Sequence, residues 1–231
     1  MSSANPLIVK ITRTDNSILL ESQEDKIEVW VDDFSKVNSL RADFAAWLFL
    51  PIAMRAGRDL HIEGCGSEAT VQNARRMAEI WESWIPYHFS SINVVFKSTS
   101  KSLTEKTNRP ALCFYSGGVD STHAILQRHL DGKKQALLTV HGMDYKVEDS
   151  DRFDQFKSKT DKFSKLVGIE RIFVRTNAYS VYNKNKINLP NNHVSHIFAF
   201  FGAAFLFSEQ YGDFFIAADS RTDQQFITYP W

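Results

Sequence analysis

Cysteine is scarce: Cys65 and Cys113 are the only two in 231 residues. Two thiols make neither a disulfide framework nor a four-cysteine zinc site, and both lie in apolar, strand-like surroundings that suit buried free thiols. An excess of one charge is also missing, since 27 Lys and Arg face 27 Asp and Glu. A balanced chain lacks the broad basic surface that makes nucleic acid the default partner, so none is expected beyond a local patch. Long hydrophobic runs are absent too. Ala45 to Met54 and Phe198 to Phe207, ten residues each, lie in the longest, which reach eleven with Phe44 and Ile197, about half of what a helix needs to cross a bilayer, so no membrane span is expected. The first residues, Met-Ser-Ser-Ala-Asn-Pro, have neither the basic region nor the apolar run of a secretory signal, and a cytoplasmic location is expected. What the chain does have is core material, with 43% hydrophobic and 13% aromatic residues. Its length suits two domains.

The first hundred residues read as a smaller α+β unit. Leu7 to Thr14, Ser17 to Ser22 and Lys26 to Val31 are short β-branched segments separated by polar turns, which predicts an antiparallel meander. Val37 to Arg55 has apolar residues at spacings of three and four and reads as a helix that Pro51 should kink. Arg58 to Glu63 is strand-like, Ser67 to Trp84 is an amphipathic helix, and Ile92 to Phe96 is a further strand. Lys97 to Arg109 is polar, lacks aromatics and precedes Pro110; the domain boundary is placed there, with residues 101–110 as linker between units 1–100 and 111–231.

From Ala111 onward strands and helices alternate. Near-continuous apolar runs at Ala111 to Tyr115, Gln135 to His141, Arg171 to Arg175 and Asp213 to Asp219 suit parallel strands covered on both faces. Helices are expected at about Asp120 to His129, Ser150 to Val167 and Val194 to Tyr211. This alternation predicts an α/β fold with a doubly wound parallel sheet, which binds ligands beyond the carboxyl ends of its strands.

Directly after the first of these strands stands Ser116-Gly117-Gly118-Val119-Asp120-Ser121-Thr122, followed by a helix. Two glycines let the backbone turn with its N–H groups inward, and the helix start adds unpaired donors and the positive end of a dipole. Such a loop cradles an anion. The hydroxyls of Ser116, Ser121 and Thr122 are candidates to bond phosphate oxygens, and Asp120 to hold a magnesium ion. The pattern GxxxxGK[ST] does not occur, which excludes the usual kinase or GTPase loop. A plain glycine turn capped by serine is the structural alternative.

Phe114 to Ser121 resembles the SGGxDS loop of the ATP pyrophosphatases, in flavour closest to the 7-cyano-7-deazaguanine synthase branch. The resemblance spans roughly Ala111 to Asp223. It implies an adenine nucleotide alpha hydrolase-like fold and an enzyme that binds Mg-ATP with its pyrophosphate in the loop. A substrate oxygen then attacks the α-phosphate, releasing pyrophosphate, and an amine, ammonia or sulfur nucleophile displaces AMP. The strand ending in Thr139-Val140-His141-Gly142 looks like the family's adenine-contacting strand. Asp219-Ser220-Arg221-Thr222-Asp223 follows the fourth strand, where the family often carries acids for magnesium. There Arg221 is a candidate to stabilise charge on the α-phosphate and Asp219 or Asp223 to share the metal; a solvated turn is the alternative. Asp144 ranks below Asp120 as a further acid near the nucleotide. No cysteine follows Cys113, so the synthase branch's four-cysteine zinc cluster has no counterpart, and the family fold would continue past Trp231. The C-terminal unit is therefore expected to be either truncated after Trp231 or a reduced homologue, and in the first case the acceptor site would be missing with the tail.

Weaker signals compete with bland readings. Gly64-Cys65-Gly66-Ser67-Glu68-Ala69 matches GxGxxA, but the acid expected after the next strand is missing, and a turn with Ser67 as N-cap is preferred. His193 and His196 share a helix start without a third metal ligand nearby, whereas His123 and His129 read as packing or surface residues. Thr176 to Asn192, with Lys184 and Lys186, is long and polar, and reads as a lid or a disordered loop. The expectation is an adenylating enzyme that forms C–N or C–S bonds on a small-molecule acceptor. Its rivals are a non-catalytic ATP- or AMP-binding module of a larger complex and a tRNA-modifying enzyme. The aromatic helices of the first unit are a candidate homodimer interface.

Overall fold

The computed structural model describes residues 5–37, 41–101, 108–143, 146–190 and 194–217. Among these residues nine strands form one mostly parallel sheet, with six α-helices packed on it. In chain order the elements are β1 (Leu7–Arg13), β2 (Ser17–Glu21), β3 (Lys26–Val31), α1 (Asp43–Ala56), β4 (Leu60–Ser67), α2 (Glu68–Trp84) and β5 (Val94–Ser100). They continue with β6 (Ala111–Phe114), α3 (Val119–Leu130), β7 (Gln135–His141), α4 (Ser150–Val167), β8 (Arg171–Thr176), α5 (Ala178–Lys184), α6 (His196–Phe205) and β9 (Asp213–Phe215). The expected meander is present, as β1 pairs antiparallel with β2 and β2 with β3. In β1 the period of two is visible directly, with Leu7 and Val9 buried and Ile8 and Lys10 exposed.

The strand order is β5-β4-β1-β2-β3-β8-β7-β6-β9. The sheet continues across the boundary expected from composition, because β3 pairs antiparallel with β8 through Val29–Thr176, Trp30–Arg175 and Val31–Val174. One apolar cluster runs through both halves, from Val9 and Phe44 to Leu138, Val174 and Phe198. The other face of β6 and β7 carries a smaller cluster, in which Cys113, Tyr115 and Leu137 meet Ile125 of α3 and Phe163 of α4. Ion pairs add to the join: Lys157 reaches Asp32 at 2.9 Å, Lys184 reaches Asp25 at 2.9 Å, and Lys36 pairs with Glu170. β5 also extends to Ser100, into the polar stretch read as linker. Among the described residues no helix is long and apolar enough to cross a membrane.

As far as Pro190, the last described residue before 194, the segment after β8 packs into the core and is neither a lid nor a disordered loop. It holds α5, whose Ala178, Val181 and Tyr182 form an i, i+3, i+4 stripe turned into the core, followed by fully buried Ile187. Two helical turns within a polar context leave too short a pattern to detect by period. α5 also contacts α1, which runs through Pro51, a residue with no N–H to give to Trp47 O in the helical ladder. The buried Tyr182 hydroxyl donates to Leu48 O at 2.8 Å, one turn before that proline.

The GxGxxA segment is packing, not a nucleotide turn. β4 continues to Ser67 with a register shift against β5 between Ile62 and Cys65, and a Cβ on Gly64 would stand 2.6 Å from Ala42 Cβ, while one on Gly66 would stand 2.4 Å from the Phe96 ring. Ser67 caps α2 by accepting from Thr70 N at 3.0 Å, as expected.

Two histidines set an acid limit on this fold. His88 lies in the core side of the turn after α2, where its Nε2 donates to Ile187 O at 3.2 Å, and His141 is buried at the end of β7. Burial holds both imidazoles below their ordinary value of 6.5. Below that pH the unfolded chain binds more protons than the native one, so their contribution is whole above about 6.5 and is lost as pH falls through the folded values. Urea midpoints should therefore drop between pH 7.5 and 5, and His88→Gln should blunt the drop; a midpoint that rises on acidification would contradict this.

Candidate functional site

Strands β6, β7, β8 and β9 are mutually parallel. The chain moves outward from β6 to β7 and β8, then returns to add β9 on the other side of β6. The strand order thus reverses at β6, and the Ser116–Gly118 loop leaves its carboxyl end and enters α3 at Val119. α3 and α4 cover one face there, and α6 covers the other, where Phe200 lies 5.0 Å from Phe114.

The loop is exposed from Ser116 to Asp120, and its polar groups are organised around Gly118. Ser116 Oγ lies 3.2 Å from Ser121 Oγ and accepts from Gly118 N at 3.4 Å. Ser121 Oγ and Thr122 Oγ1 both donate to Gly118 O, at 3.1 and 2.8 Å. The three expected hydroxyls are therefore brought together, but they brace the loop itself. The donors left for a ligand are the first N–H groups of α3, which no side chain caps and which have no partner within a helix. Asp120 lies in that first turn, exposed, beside exposed Val119.

The two glycines differ. Gly117 has φ +74, and a Cβ on it would meet Thr160 Cγ2 of α4 at 2.7 Å. Glycine is required there by backbone and packing alike. Gly118 has φ −77 and ψ 167, an extended conformation open to any residue, and its only near neighbour would be Ser116 Oγ at 3.3 Å. Among the described residues only Ser116 Oγ, which would have to give by a few tenths of an ångström, stands near a side chain at 118.

Beneath the loop lies a polar chain that the sequence did not flag. Thr139 Oγ1 of β7 donates to Tyr115 O at 2.8 Å, just ahead of Ser116. Arg171 of β8 donates to that hydroxyl from Nη2 at 3.1 Å and Nε at 3.4 Å, and to Asp161 Oδ1 of α4 at 3.0 Å. Its guanidinium stacks on Phe173 at 4.3 Å and Tyr115 at 5.2 Å. Burial lowers its pKa, and the Asp161 carboxylate opposes that shift. The only hint in the sequence is a polar residue inside each of two apolar strands.

His141 and Gly142 lie at the end of β7 but are buried. The His141 ring stacks on Phe153 at 4.1 Å and 7°, and a Cβ on Gly142, at φ +99, would stand 2.0 Å from Thr176 O. His123 and His129 are exposed, and His196 begins α6 with its ring 5.7 Å from Tyr179. Asp144, His193, Asp219, Arg221 and Asp223 lie outside the described residues. Among the described residues no three His, Cys, Asp or Glu side chains cluster as a metal site. Comparison with family models, curated proteins and solved structures returns no match.

Proposed function

We propose that the chain is an ATP-binding enzyme of the ATP pyrophosphatase type, built on a doubly wound sheet, that adenylates a carboxylate, amide or carbonyl oxygen for attack by a nitrogen or sulfur nucleophile. The observation that carries this reading is Gly118. A residue whose backbone accepts a side chain, with Ser116 Oγ at 3.3 Å the nearest described atom to one, yet which has none, leaves room at an uncapped helix start for a ligand to approach the protein backbone closely. The site also lies where the strand order reverses, the crevice in which open α/β sheets bind ligands. Donors to anions, a dipole and one acid suit a magnesium-bound polyphosphate, since Mg²⁺ commonly takes one or two carboxylates with the phosphates as its other ligands. Asp120 is the acid of choice, with Ser116, Gly117, Gly118, Val119, Ser121 and Thr122 framing the phosphates and Arg221, Asp219 and Asp223 as further candidates. Electrophilic activation at phosphorus then rests on positioning and charge stabilisation by these groups.

Calorimetric titration with Mg-ATP tests the reading. The intact chain should bind, and Asp120→Ala should bind Mg-ATP about tenfold more weakly while keeping its affinity for ATP in EDTA. A folded chain that binds no Mg-ATP would sink the proposal. Binding without release of AMP and pyrophosphate across a panel of acceptors would favour the non-catalytic module.

A further inference from the structure

We propose that Arg171 is a positioning residue for this loop, fixing the Tyr115–Ser116 peptide through the Thr139 hydroxyl and setting a positive charge behind an anion cradle that has no lysine of its own. The inference rests on the phosphate-binding reading of the loop and adds the part that lies beneath it.

The direction of the proton settles how the chain works. A guanidinium has donors and no acceptor, so both Arg171 contacts use lone pairs of the Thr139 oxygen. The Thr139 proton is left for Tyr115 O, and that carbonyl belongs to the same peptide as the Ser116 N–H. Asp161 fixes the far side of the guanidinium from α4, the helix whose Thr160 packs on Gly117. α4, β8, β7 and the first peptide of the loop are thereby tied in one line, held flat between the Tyr115, Phe156 and Phe173 rings.

Stability alone does not account for this arrangement. The Arg171 side chain is 4% exposed. A buried ion pair can often be exchanged for apolar residues of similar volume at no loss, because desolvation of the charges offsets their attraction. Around it Ala111, Cys113, Tyr115 and Leu137 pack against Ile125 and Phe163, and the other polar side chains on this face of β7 stand away from the loop peptide, Gln135 on Ile125 O at 3.0 Å and His141 on the Phe153 ring. A charge kept there, aimed through one hydroxyl at the peptide that opens the loop, fits an electrostatic and orienting task.

The test uses the intact chain with Thr139→Val, Thr139→Ser and Arg171→Met, and reads inorganic pyrophosphate and Mg-ATP by calorimetry and adenosine by ligand-observed NMR. Thr139→Val should weaken pyrophosphate and Mg-ATP about tenfold and leave adenosine unchanged, and Thr139→Ser should restore both. Arg171→Met, if it folds, should lose more, since it removes the charge as well as the tether. Undiminished pyrophosphate binding by Thr139→Val overturns the inference, as does an equal loss for adenosine, which would mark a merely structural role. Absence of pyrophosphate and Mg-ATP binding in the unaltered chain is a different result, and there the phosphate-loop reading itself fails.

Discussion

Replacing Gly117 by alanine should unfold the protein several degrees earlier, whereas the same change at Gly118 should leave the fold intact and remove nucleotide binding. At Gly117 two costs add. A left-handed φ of +74 costs an alanine roughly 1–2 kcal/mol, and forcing a methyl to 2.7 Å from Thr160 Cγ2 adds about 1–3 kcal/mol of overpacking. For a chain of this size each kcal/mol moves the midpoint by roughly 2–4 °C, so a loss on the order of 5–15 °C is expected by thermal unfolding. Gly118 sits at φ −77. Alanine there narrows the unfolded ensemble, which stabilises by about 0.4–1 kcal/mol, and it is a poorer N-cap than glycine, a penalty of similar size. The two offset, and the melting temperature should stay within a few degrees. The methyl group would instead occupy the space where a phosphate meets the loop backbone, and Mg-ATP affinity should fall at least tenfold. Gly118→Ala with unchanged affinity would leave the loop as a turn and nothing more.

Local patterns were legible in the sequence, and their partners were not. The bounds of β7 and α4 coincide with the expected ones, and Ser67 caps α2 as its position before an amphipathic run suggests. These elements are set by residues a few positions apart. The pairing of β3 with β8 links Val29 to Thr176 across most of the chain, and a period of two specifies which face of β3 is buried without naming the strand beside it. The sheet's passage across the polar stretch after β5 was hidden for that reason. At the site, the loop was readable because its glycines, hydroxyls and acid are contiguous. The Thr139–Arg171 contact joins residues 32 apart, and either one alone is only a polar residue in a strand. The difference between Gly117 and Gly118 was equally out of reach, since it depends on φ and on the approach of α4. Thr176 to Asn192 is misleading for a further reason, as Tyr182 lies in a polar stretch although its ring is buried and its hydroxyl donates to Leu48 O of another helix.

That helix contact sets up the second large effect. α6 crosses α1 so closely at Gly202 that a Cβ there would lie 2.4 Å from Leu48 Cγ and 2.7 Å from Leu48 Cδ2. Helix propensity taken alone favours alanine over glycine by roughly 0.5–1 kcal/mol, so a stabilised variant would be the naive expectation. Sterics decide the sign the other way. The nearest atom is a branch point and not the tip of a flexible chain, Leu48 is 1% exposed, and its carbonyl is pinned by Tyr182. Leu48 therefore has nowhere to rotate, and the helices must separate along a contact that also carries Trp47 against Phe201 at 5.1 Å and Phe205 at 5.7 Å. Gly202→Ala should cost about 2 kcal/mol net, and Gly202→Val more, since a β-branched residue widens the gap further. Leu48→Ala by itself should cost roughly 2–5 kcal/mol through the cavity it leaves. The double variant should then be more stable than the sum of the two losses, because the alanine methyl at 202 enters the space vacated at 48. Urea unfolding of the four proteins gives the coupling directly. Strict additivity, or a Gly202→Ala chain as stable as the parent, would mean that the two helices do not meet at this contact and that the core shared by the two halves of the sheet is built differently.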